Sequence, residues 1–242
     1  MPIKQAVGLG LFAASLAMGI ACTQAAARTL RVHVDSFENG GTIPNKYAFC
    51  VPAAQGHTGA GADISPSISW SKGPHGTKSY AIILLDTDSP AEHREMMNKE
   101  GMTMTAAIKR HDFYHWVVAD IPANIRSLKE GADSSSRVLH GKPATPAAAG
   151  VRGLNDYTKV TAANEAMKGQ YFGYDGPCPP WNDEVVHRYH FTVYALSVKS
   201  LDLPKDFDGP ALLAAMKGKI LAKGETLGLY TQNPAKGAKV SK

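Results

Sequence analysis

The stretch GPCPPWNDEVVHRYHFTVYAL, Gly176–Leu196, joins a proline-rich loop to an apolar run. Proline restricts the backbone and cannot donate a hydrogen bond to a sheet, so Gly176–Pro180 predicts a rigid, irregular loop. Tyr189–Val198 then predicts a strand. A strand does not need a crowd of ionisable side chains in order to fold, so the same stretch also indicates a functional site.

The start of this strand places four polar or ionisable side chains next to one another. Because side chains alternate along a strand, His187 and Tyr189 share one face, and Arg188 and His190 share the other. We expect Arg188 and His190 to have structural roles, with a carboxylate partner for Arg188 if it is buried.

Other short apolar runs, each bounded by Gly, Pro, Asn or Asp, predict the remaining strands. They are Leu30–Val34, Ile68–Trp70, Tyr80–Leu85, Trp116–Ile121 and Thr226–Tyr230. Pro210 followed by apolar residues at helical spacing as far as Leu221 predicts one helix that ends before Gly224. The sequence therefore predicts a mostly β protein with a helix near its C-terminus.

Two long segments fit neither pattern, namely Ala91–Asp112, which could be helical in part, and Ala123–Asp175. Loops of this length are uncommon in a compact domain unless they serve a site. The chain has 242 residues, of which 44% are hydrophobic, and we predict one domain over residues 28–234 with a polar tail at 235–242. The net charge of +5 is scattered, which argues against a nucleic-acid partner.

The N-terminus has the layout of a secretory signal peptide over residues 1–27. Lys4 precedes an apolar run from Val7 to Ala21, and small residues then lead to a predicted cleavage site after Ala27. The run is too short for a transmembrane segment. Lipid attachment at Cys22 is a less favoured alternative, and both interpretations indicate a periplasmic or secreted protein.

Cleavage there would leave two cysteines, Cys50 and Cys178. In an oxidising compartment an even pair is a disulfide candidate. Two separately buried thiols fit the sequence equally well.

Polar residues also occur at two other predicted strand ends. In LLDTDSP, Asp86 and Asp88 point the same way just before Pro90, and their proximity is unfavourable without hydrogen bonds or cations. In DFYHWVVADIP, His115 begins an apolar strand and so lies at the end of the sheet. Taken alone, the first pattern is typical of a turn and the second of a structural histidine.

Taken together and in this order, the motifs resemble a known family. They are D-x-D-x-P at Asp86–Pro90, H-W-V-V-x-x-I-P at His115–Pro122, G-P-x-P-P at Gly176–Pro180 and H-R-Y-x-F at His187–Phe191. This series is similar to that of the phosphatidylethanolamine-binding protein family, in particular its bacterial Raf-kinase-inhibitor-like branch. DISPSISW and GVRGLNDY, which begin at Asp63 and Gly150, also resemble that branch.

The resemblance implies a β-sandwich-like fold with long loops and a small pocket for a phosphate-type anion or a phospholipid head group. It also implies the residues that bind the ligand, which are Asp86, Asp88, Phe113, His115, Gly176, Cys178, Pro179, Pro180, His187, Tyr189 and Tyr230. The predicted function is binding, without catalysis, cofactor or metal. A protein partner is compatible with the family, but the sequence does not identify one.

Chemistry adds a constraint, because Arg188 is the only arginine in the four ordered motifs and points away from His187. The anion would then be held by imidazoles, backbone N–H groups and the Tyr189 hydroxyl, and binding should tighten as the pH falls through roughly 6–7. One alternative is a hydrolase or metal-dependent enzyme that uses the Asp/His cluster. Another is a protease or kinase inhibitor that acts through protein contacts.

The chain departs from the family in three extended segments, 91–112, 156–174 and the spacer Trp181–Val186. Phe113 stands where relatives often have Trp. The extensions are expected to cover the pocket or to form a partner surface, and either would change ligand preference without changing the fold.

Overall fold

Two long antiparallel strands lie at the centre of the structure, a computed structural model that describes residues 1–2, 28–145 and 147–238. They are β7, Ser79–Pro90, and β8, Arg110–Pro122. Most of their residues are buried on both faces, which explains the continuous apolar runs in their sequences. Both strands extend beyond the predicted runs, so Asp86, Asp88 and His115 lie within strands.

The strands form three sheets. In chain order they are β1 (Arg28–Thr29), β2 (Val32–Val34), β3 (Gly41–Thr42), β4 (Cys50–Pro52), β5 (Thr58–Ala60), β6 (Ile68–Trp70), β7, β8, β9 (Ser127–Leu128), β10 (Val151–Arg152), β11 (His187–Leu196) and β12 (Ile220–Tyr230). The largest sheet has the order β1-β12-β11-β7-β8-β10, with β3 also paired to β12. Strands β2-β6-β9 form a second sheet, and β4-β5 form a third.

The large sheet is covered on both faces. On one face, Ile82 and Leu84 of β7 belong to a core that includes Ile68 of the second sheet. On the other, Ala81 and Ile83 pack in a separate cluster that includes the C-terminal helix. The alternation of side chains along β7 therefore supplies two cores, and the mostly β prediction is confirmed.

The C-terminal helix is shorter than predicted. It spans Gly209–Met216 (α2), and the Asp208 side chain caps it by accepting a hydrogen bond from Ala211 N at 3.1 Å. Gly218 has φ +75°, a conformation that ends the helical path before Ile220 begins β12.

The assignment of Leu221 to the helix and of Gly224 to its stop signal was wrong, because both lie in β12. Their spacing satisfies a helical pattern, but the tertiary pairing with β11 decides the outcome. Gly224 serves close packing instead: a Cβ there would lie 2.1 Å from the Leu30 carbonyl oxygen.

The two long segments contain little regular structure. Ala91–Asp112 has one 3-10 turn, Arg94–Met96, before β8 begins. Ala123–Asp175 contains β9, β10 and the short helix α1, Tyr157–Val160.

Two predictions about the termini concern residues outside those described. They are the signal peptide, with cleavage after Ala27 or lipidation at Cys22, and most of the tail beyond Ala238. Residues 234–236 form a further 3-10 turn. Within the described ranges, no helix has the length and apolar character needed to cross a membrane.

Candidate functional site

A cavity of about 310 Å3 opens at the end of the large sheet, next to the proline-rich loop. This volume is at the lower end of the roughly 300–1,000 Å3 typical of small-molecule sites. The predicted residues that line it are Asp86, Phe113, His115, Cys178, Pro179, Pro180 and His187. The structure therefore brings together residues from all four motifs.

His187 lies between two carboxylates at the bottom of this cavity. Its Nδ1 is 2.7 Å from Asp86 Oδ2, and its Nε2 is 3.2 Å from Asp183 Oδ2. Asp183 also accepts two hydrogen bonds from the guanidinium of Arg110, at 2.6 and 3.1 Å. These four residues, Asp86, Asp183, His187 and Arg110, are called the cavity floor below.

The carboxylates keep the imidazole of His187 charged. Burial disfavours the imidazolium, but the charge of Asp86 and the hydrogen bonds to Asp183 and Asp86 outweigh it and raise the pKa of His187 to about 9. Burial likewise opposes ionisation of Asp183, yet the bonds from His187 and Arg110 lower its pKa. With His187 protonated, the two negative and two positive charges of the cavity floor cancel.

His115, in contrast to His187, is neutral. Its Nδ1 is 2.8 Å from the carbonyl oxygen of Asp175, which can only accept, so Nδ1 carries the proton. Burial lowers the pKa of His115 more than the Asp86 charge raises it. A neutral His115 has an unprotonated Nε2, for which the described residues supply no partner, and this nitrogen can accept a hydrogen bond from a ligand.

The prediction that Asp86 and Asp88 act together on one face is corrected. The pairing of β7 with β8 is irregular between Asp86 and Ser89, and Asp86 Oδ1 accepts a hydrogen bond from Asp88 N at 2.8 Å. Only Asp86 lines the cavity. Asp88 binds the Arg188 guanidinium with both carboxylate oxygens, at 2.8 and 2.9 Å.

Two predicted tyrosines lie outside the cavity wall. Tyr189 is fully buried and packs edge-on against His115, with ring centroids 5.3 Å apart. Burial and the nearby Asp86 charge raise the pKa of its hydroxyl well above its usual value. Tyr230 donates to the Cys50 carbonyl oxygen at 2.9 Å and lines a different surface depression, so neither tyrosine is among the residues that line the cavity.

Cys50 and Cys178 form a disulfide, with their Cα atoms 4.7 Å apart. The alternative of two separate thiols is thereby ruled out in this structure. Both half-cystines line the cavity, and the bridge ties the proline-rich loop to β4. The loop is also joined to β4 by hydrogen bonds from Phe49 N and Cys50 N to the Pro177 carbonyl oxygen.

Gly176 does not line the cavity; it packs closely against the backbone of Tyr47. A Cβ at this position would lie 1.9 Å from the Tyr47 carbonyl oxygen, so only glycine fits without movement of the backbone. Its N–H donates to Asp63 Oδ1 at 2.7 Å, and its carbonyl accepts from the Tyr157 hydroxyl at 2.8 Å.

A second buried charge network holds this region. Lys142 Nζ lies 2.5 Å from Asp175 Oδ1 and 3.3 Å from Asp63 Oδ2. Asn155 donates to the remaining Asp175 oxygen at 2.7 Å. These residues, Asp63, Lys142 and Asp175, are called the Lys142 anchor; through the Asp175 carbonyl oxygen the anchor orients His115.

Sequence reasoning missed several residues of the site. Asp183 lies in the spacer four positions before His187, and its contact with the imidazole depends on the turn that this spacer forms. Arg110 carried no signal, because its partner is 73 positions away. The extended segments contribute cavity-lining residues, namely Arg94, Met97, Asn98, Val160, Thr161, Asn164 and Met167.

The sequence predicts no metal site, and a metal-dependent enzyme is one of the alternatives to binding. Among the described residues, no group of three or more His, Cys, Asp or Glu side chains is arranged to hold a metal ion. The cavity floor instead satisfies its charges internally.

Comparisons with known proteins agree with the motif pattern. The sequence model of the family described as phosphatidylethanolamine-binding protein matches residues 33–231. A UPF0098 protein of Aquifex aeolicus is 34% identical over 220 residues, which cover 90% of this chain and 98% of the relative. A UPF0098 protein of Methanothermobacter thermautotrophicus is 30% identical over 201 residues, with 83% and 97% covered.

Solved structures show the same fold. A crystal structure of a phosphatidylethanolamine-binding protein homologue from Chlamydia trachomatis superposes with a TM-score of 0.54 at 29% identity, covering 84% of this chain and 97% of that one. Escherichia coli YbcL superposes with a TM-score of 0.59 at 24% identity, covering 84% and 99%, which supports the fold alone. The chain belongs to the phosphatidylethanolamine-binding protein family.

Proposed function

We propose that this protein binds a phosphate-type anion, free or as a phospholipid head group, in the cavity at the end of the large sheet. The observation that carries the proposal is the cavity of about 310 Å3, into which Asp86, His115 and His187 converge from three distant segments. Membership of a family of binding proteins supports binding over catalysis.

The two histidines take different parts in this binding. Both ring nitrogens of His187 are engaged by carboxylates, so His187 contributes charge and rigidity to the floor and not a hydrogen bond to the ligand. His115 offers Nε2 as an acceptor. The site therefore favours an anion that also carries a hydrogen-bond donor, such as a protonated phosphate oxygen or an ammonium group.

The state of His187 argues against this residue as the general base of the hydrolase alternative. A general base works best with a pKa near the operating pH and with an unengaged nitrogen. His187 has a pKa raised to about 9 and both nitrogens bonded. A protonated, doubly bonded imidazole cannot accept a proton at neutral pH, so this residue serves binding.

The expected pH dependence changes accordingly. The sequence placed the tightening of binding at roughly pH 6–7, where both imidazoles would titrate. With the pKa of His187 at about 9 and that of His115 lowered by burial, neither imidazole is expected to change charge between pH 7 and 8. We expect constant affinity over that interval and weaker binding as the pH rises through about 9, where the cavity floor becomes net negative.

A titration with phosphoethanolamine tests the proposal. Calorimetry at pH 7.5 on the oxidised protein should give a Kd that weakens roughly tenfold or more in His115→Phe, since one hydrogen bond to a charged group is lost. His33→Phe is the matched control, because the side chain of His33 is 61% exposed and lies outside the cavity. Absence of saturable binding by the unaltered protein, or equal affinity in both variants, would refute the proposal.

We extend the proposal to an exported protein, mature from Arg28. The Cys50–Cys178 bridge supports this, because disulfides persist mainly in oxidising compartments. Cell fractionation followed by N-terminal sequencing is expected to recover the protein outside the cytoplasm, with Arg28 first. Recovery of the full-length chain in the cytoplasm with reduced cysteines would contradict it.

A further inference from the structure

A separate depression of about 450 Å3 lies at the opposite end of the large sheet from the cavity. Gly73 lines it and donates its N–H to the hydroxyl of Tyr80, near the start of β7, at 2.9 Å. The cavity, in contrast, lies at the end of β7, and a strand of 12 residues is about 35–40 Å long. A ligand in the depression would therefore not touch the cavity.

Three cationic residues from distant parts of the chain line this depression. Arg31 precedes β2, Lys72 lies just after β6, and Arg126 precedes β9. Because β6 is antiparallel to both β2 and β9, the end of β6 meets the starts of its two neighbours. The topology of the second sheet therefore brings the three cations to one end of it.

Hydrogen bonds between the three segments fix this arrangement. Arg31 N donates to Ser71 Oγ at 3.0 Å, and Ser71 N donates to the Arg31 carbonyl oxygen at 2.9 Å. Trp70 N donates to the Arg126 carbonyl oxygen at 3.0 Å. The main chain that carries the cations is therefore ordered before a ligand arrives, which reduces the entropic cost of binding.

The three cations are not neutralised by the part of the chain that the structure describes. None of them has a carboxylate there within salt-bridge distance, and none of the residues that line the depression is acidic. Asp35 and Glu130 follow β2 and β9, so these two carboxylates lie at the other end of the second sheet. Like charges around one depression repel each other, and an anion that binds there relieves the repulsion.

Hydroxyl groups add uncharged donors to the lining. Ser71 Oγ accepts a hydrogen bond from Arg31 N, and the described residues supply no acceptor for its own proton. The hydroxyl of Thr29, which also lines the depression, likewise has no partner within the described ranges. Both hydroxyls can donate to the oxygens of an anion.

The number of charges indicates what kind of anion fits. A phosphate group carries about −1.5 to −2 charges at neutral pH, so a single phosphate leaves three cations incompletely neutralised and two phosphates neutralise them. Arginine suits such a ligand because its planar fork donates two parallel hydrogen bonds to one phosphate. The volume lies within the roughly 300–1,000 Å3 of small-molecule sites, which favours a compact anion over a flat membrane surface.

We infer that the depression is a second anion site, which binds a compact ligand with two linked phosphate groups. Arg31, Lys72 and Arg126 supply the charge, and Ser71 and Thr29 supply hydrogen bonds. The site shares no lining residue with the cavity, so the inference does not depend on the proposed function.

An NMR titration with inorganic diphosphate observes this site separately from the cavity. The full oxidised chain is isotopically labelled, and the amide signals of Ser71, Lys72 and Gly73 are followed at pH 7.5. We expect saturable shifts with a Kd below about 1 mM, the same Kd in His115→Phe, and roughly fivefold weaker binding of inorganic monophosphate. Shifts that do not saturate, or equal affinity for the two anions, would overturn the inference.

Variants that remove single charges test the three cations. In Arg31→Gln, Lys72→Gln and Arg126→Gln the Kd for diphosphate is expected to rise roughly three- to tenfold, since each loses a partly exposed charge-assisted hydrogen bond. Lys129→Gln is the matched control for Lys72→Gln, because Lys129 is exposed and lies outside the depression. Equal weakening in these two variants would assign the binding to general charge and refute a site. Circular dichroism checks that all four variants fold.

Two further probes identify the source of the ligand. Tighter binding of isopentenyl diphosphate than of inorganic diphosphate would indicate an esterified diphosphate, and the reverse order would indicate the free anion. Co-sedimentation with phosphatidylglycerol vesicles covers the alternative of an anionic membrane surface. Vesicle binding that weakens in Lys72→Gln, in a protein that binds neither soluble diphosphate, would replace the inferred ligand with a lipid surface. Loss of phosphoethanolamine binding in His115→Phe with diphosphate binding intact would leave both sites standing.

Discussion

The cavity floor and the Lys142 anchor are both buried networks of carboxylates and cations, but they differ in their surroundings. In the anchor, Lys142 lies between Asp63 and Asp175, and hydrogen bonds from Gly176 and Asn155 satisfy the remaining oxygens. The floor is equally well paired, yet it faces a cavity and lies beside His115 Nε2, for which the part of the chain that the structure describes supplies no partner. Buried charge alone therefore does not identify a binding site; an open volume next to an unsatisfied polar atom does.

Removal of the disulfide is expected to give the largest loss of stability, and it tests how strongly the bridge between the proline-rich loop and β4 stabilises the fold. Cys50→Ser combined with Cys178→Ser opens a loop whose ends are 128 positions apart, which corresponds to a loss of about 4–5 kcal/mol in the free energy of unfolding by the chain-entropy model. Urea denaturation at pH 7 measures it. Reduction of the unaltered protein should give the same loss, and a loss in only one of the two experiments would contradict the assignment to the bridge.

Lys142→Met tests whether the anchor is held by charge. Removing one partner of a buried charge network leaves uncompensated carboxylates, so we expect a loss of about 3–5 kcal/mol in unfolding free energy. Lys168→Met is the control, because its ion pair with Glu165 is exposed and is expected to be worth less than about 1 kcal/mol. Equal effects in the two variants would mean that the anchor contributes no more than a surface ion pair.

The pH dependence of stability distinguishes the floor from the anchor. The pKa of His187 is raised in the folded protein to about 9, against about 6.5 when unfolded, so its stabilising contribution is full below pH 6.5 and is lost as the pH rises through 9. We expect unfolding free energy to fall by about 3 kcal/mol across this range. His187→Gln should abolish the decline, and a decline that persists in that variant would assign it to another group. NMR titration of the imidazole reports its pKa directly.

The smallest expected loss of stability comes from the partly exposed ion pair between Arg188 and Asp88. Arg188 is 54% exposed while its partner Asp88 is buried, so the pair is partly solvated and Arg188→Met should cost about 1 kcal/mol. Arg188→Lys should recover only part of this, because lysine cannot reproduce the two-oxygen contact. Full recovery by lysine would show that charge, and not geometry, supplies the stability. Thermal denaturation at pH 7 is the measurement.

Local pattern was enough to identify most of the fold. The apolar runs and the turns that bound them locate β6, β7, β8 and β11. Strands that are buried in a sheet consist of consecutive or alternating apolar residues, so this pattern is visible in the sequence. The helix boundary at Met216 was misplaced, since the residues after it fit helical spacing and strand pairing equally well. Only the register of β12 against β11 decides between them.

The sequence by itself determined the order of the four motifs, the apolar strands that present them at one end of a sheet, and the even cysteine pair. Tertiary structure alone decided that Asp183 and Arg110 complete the floor, that Asp88 binds Arg188 and does not line the cavity, and that Arg94 and Arg137 do line it. The physical reason is how far apart along the chain the interacting residues are. Burial and backbone preference act over a few residues and leave a local pattern, whereas each charged pair joins residues whose meeting depends on strand register and loop path.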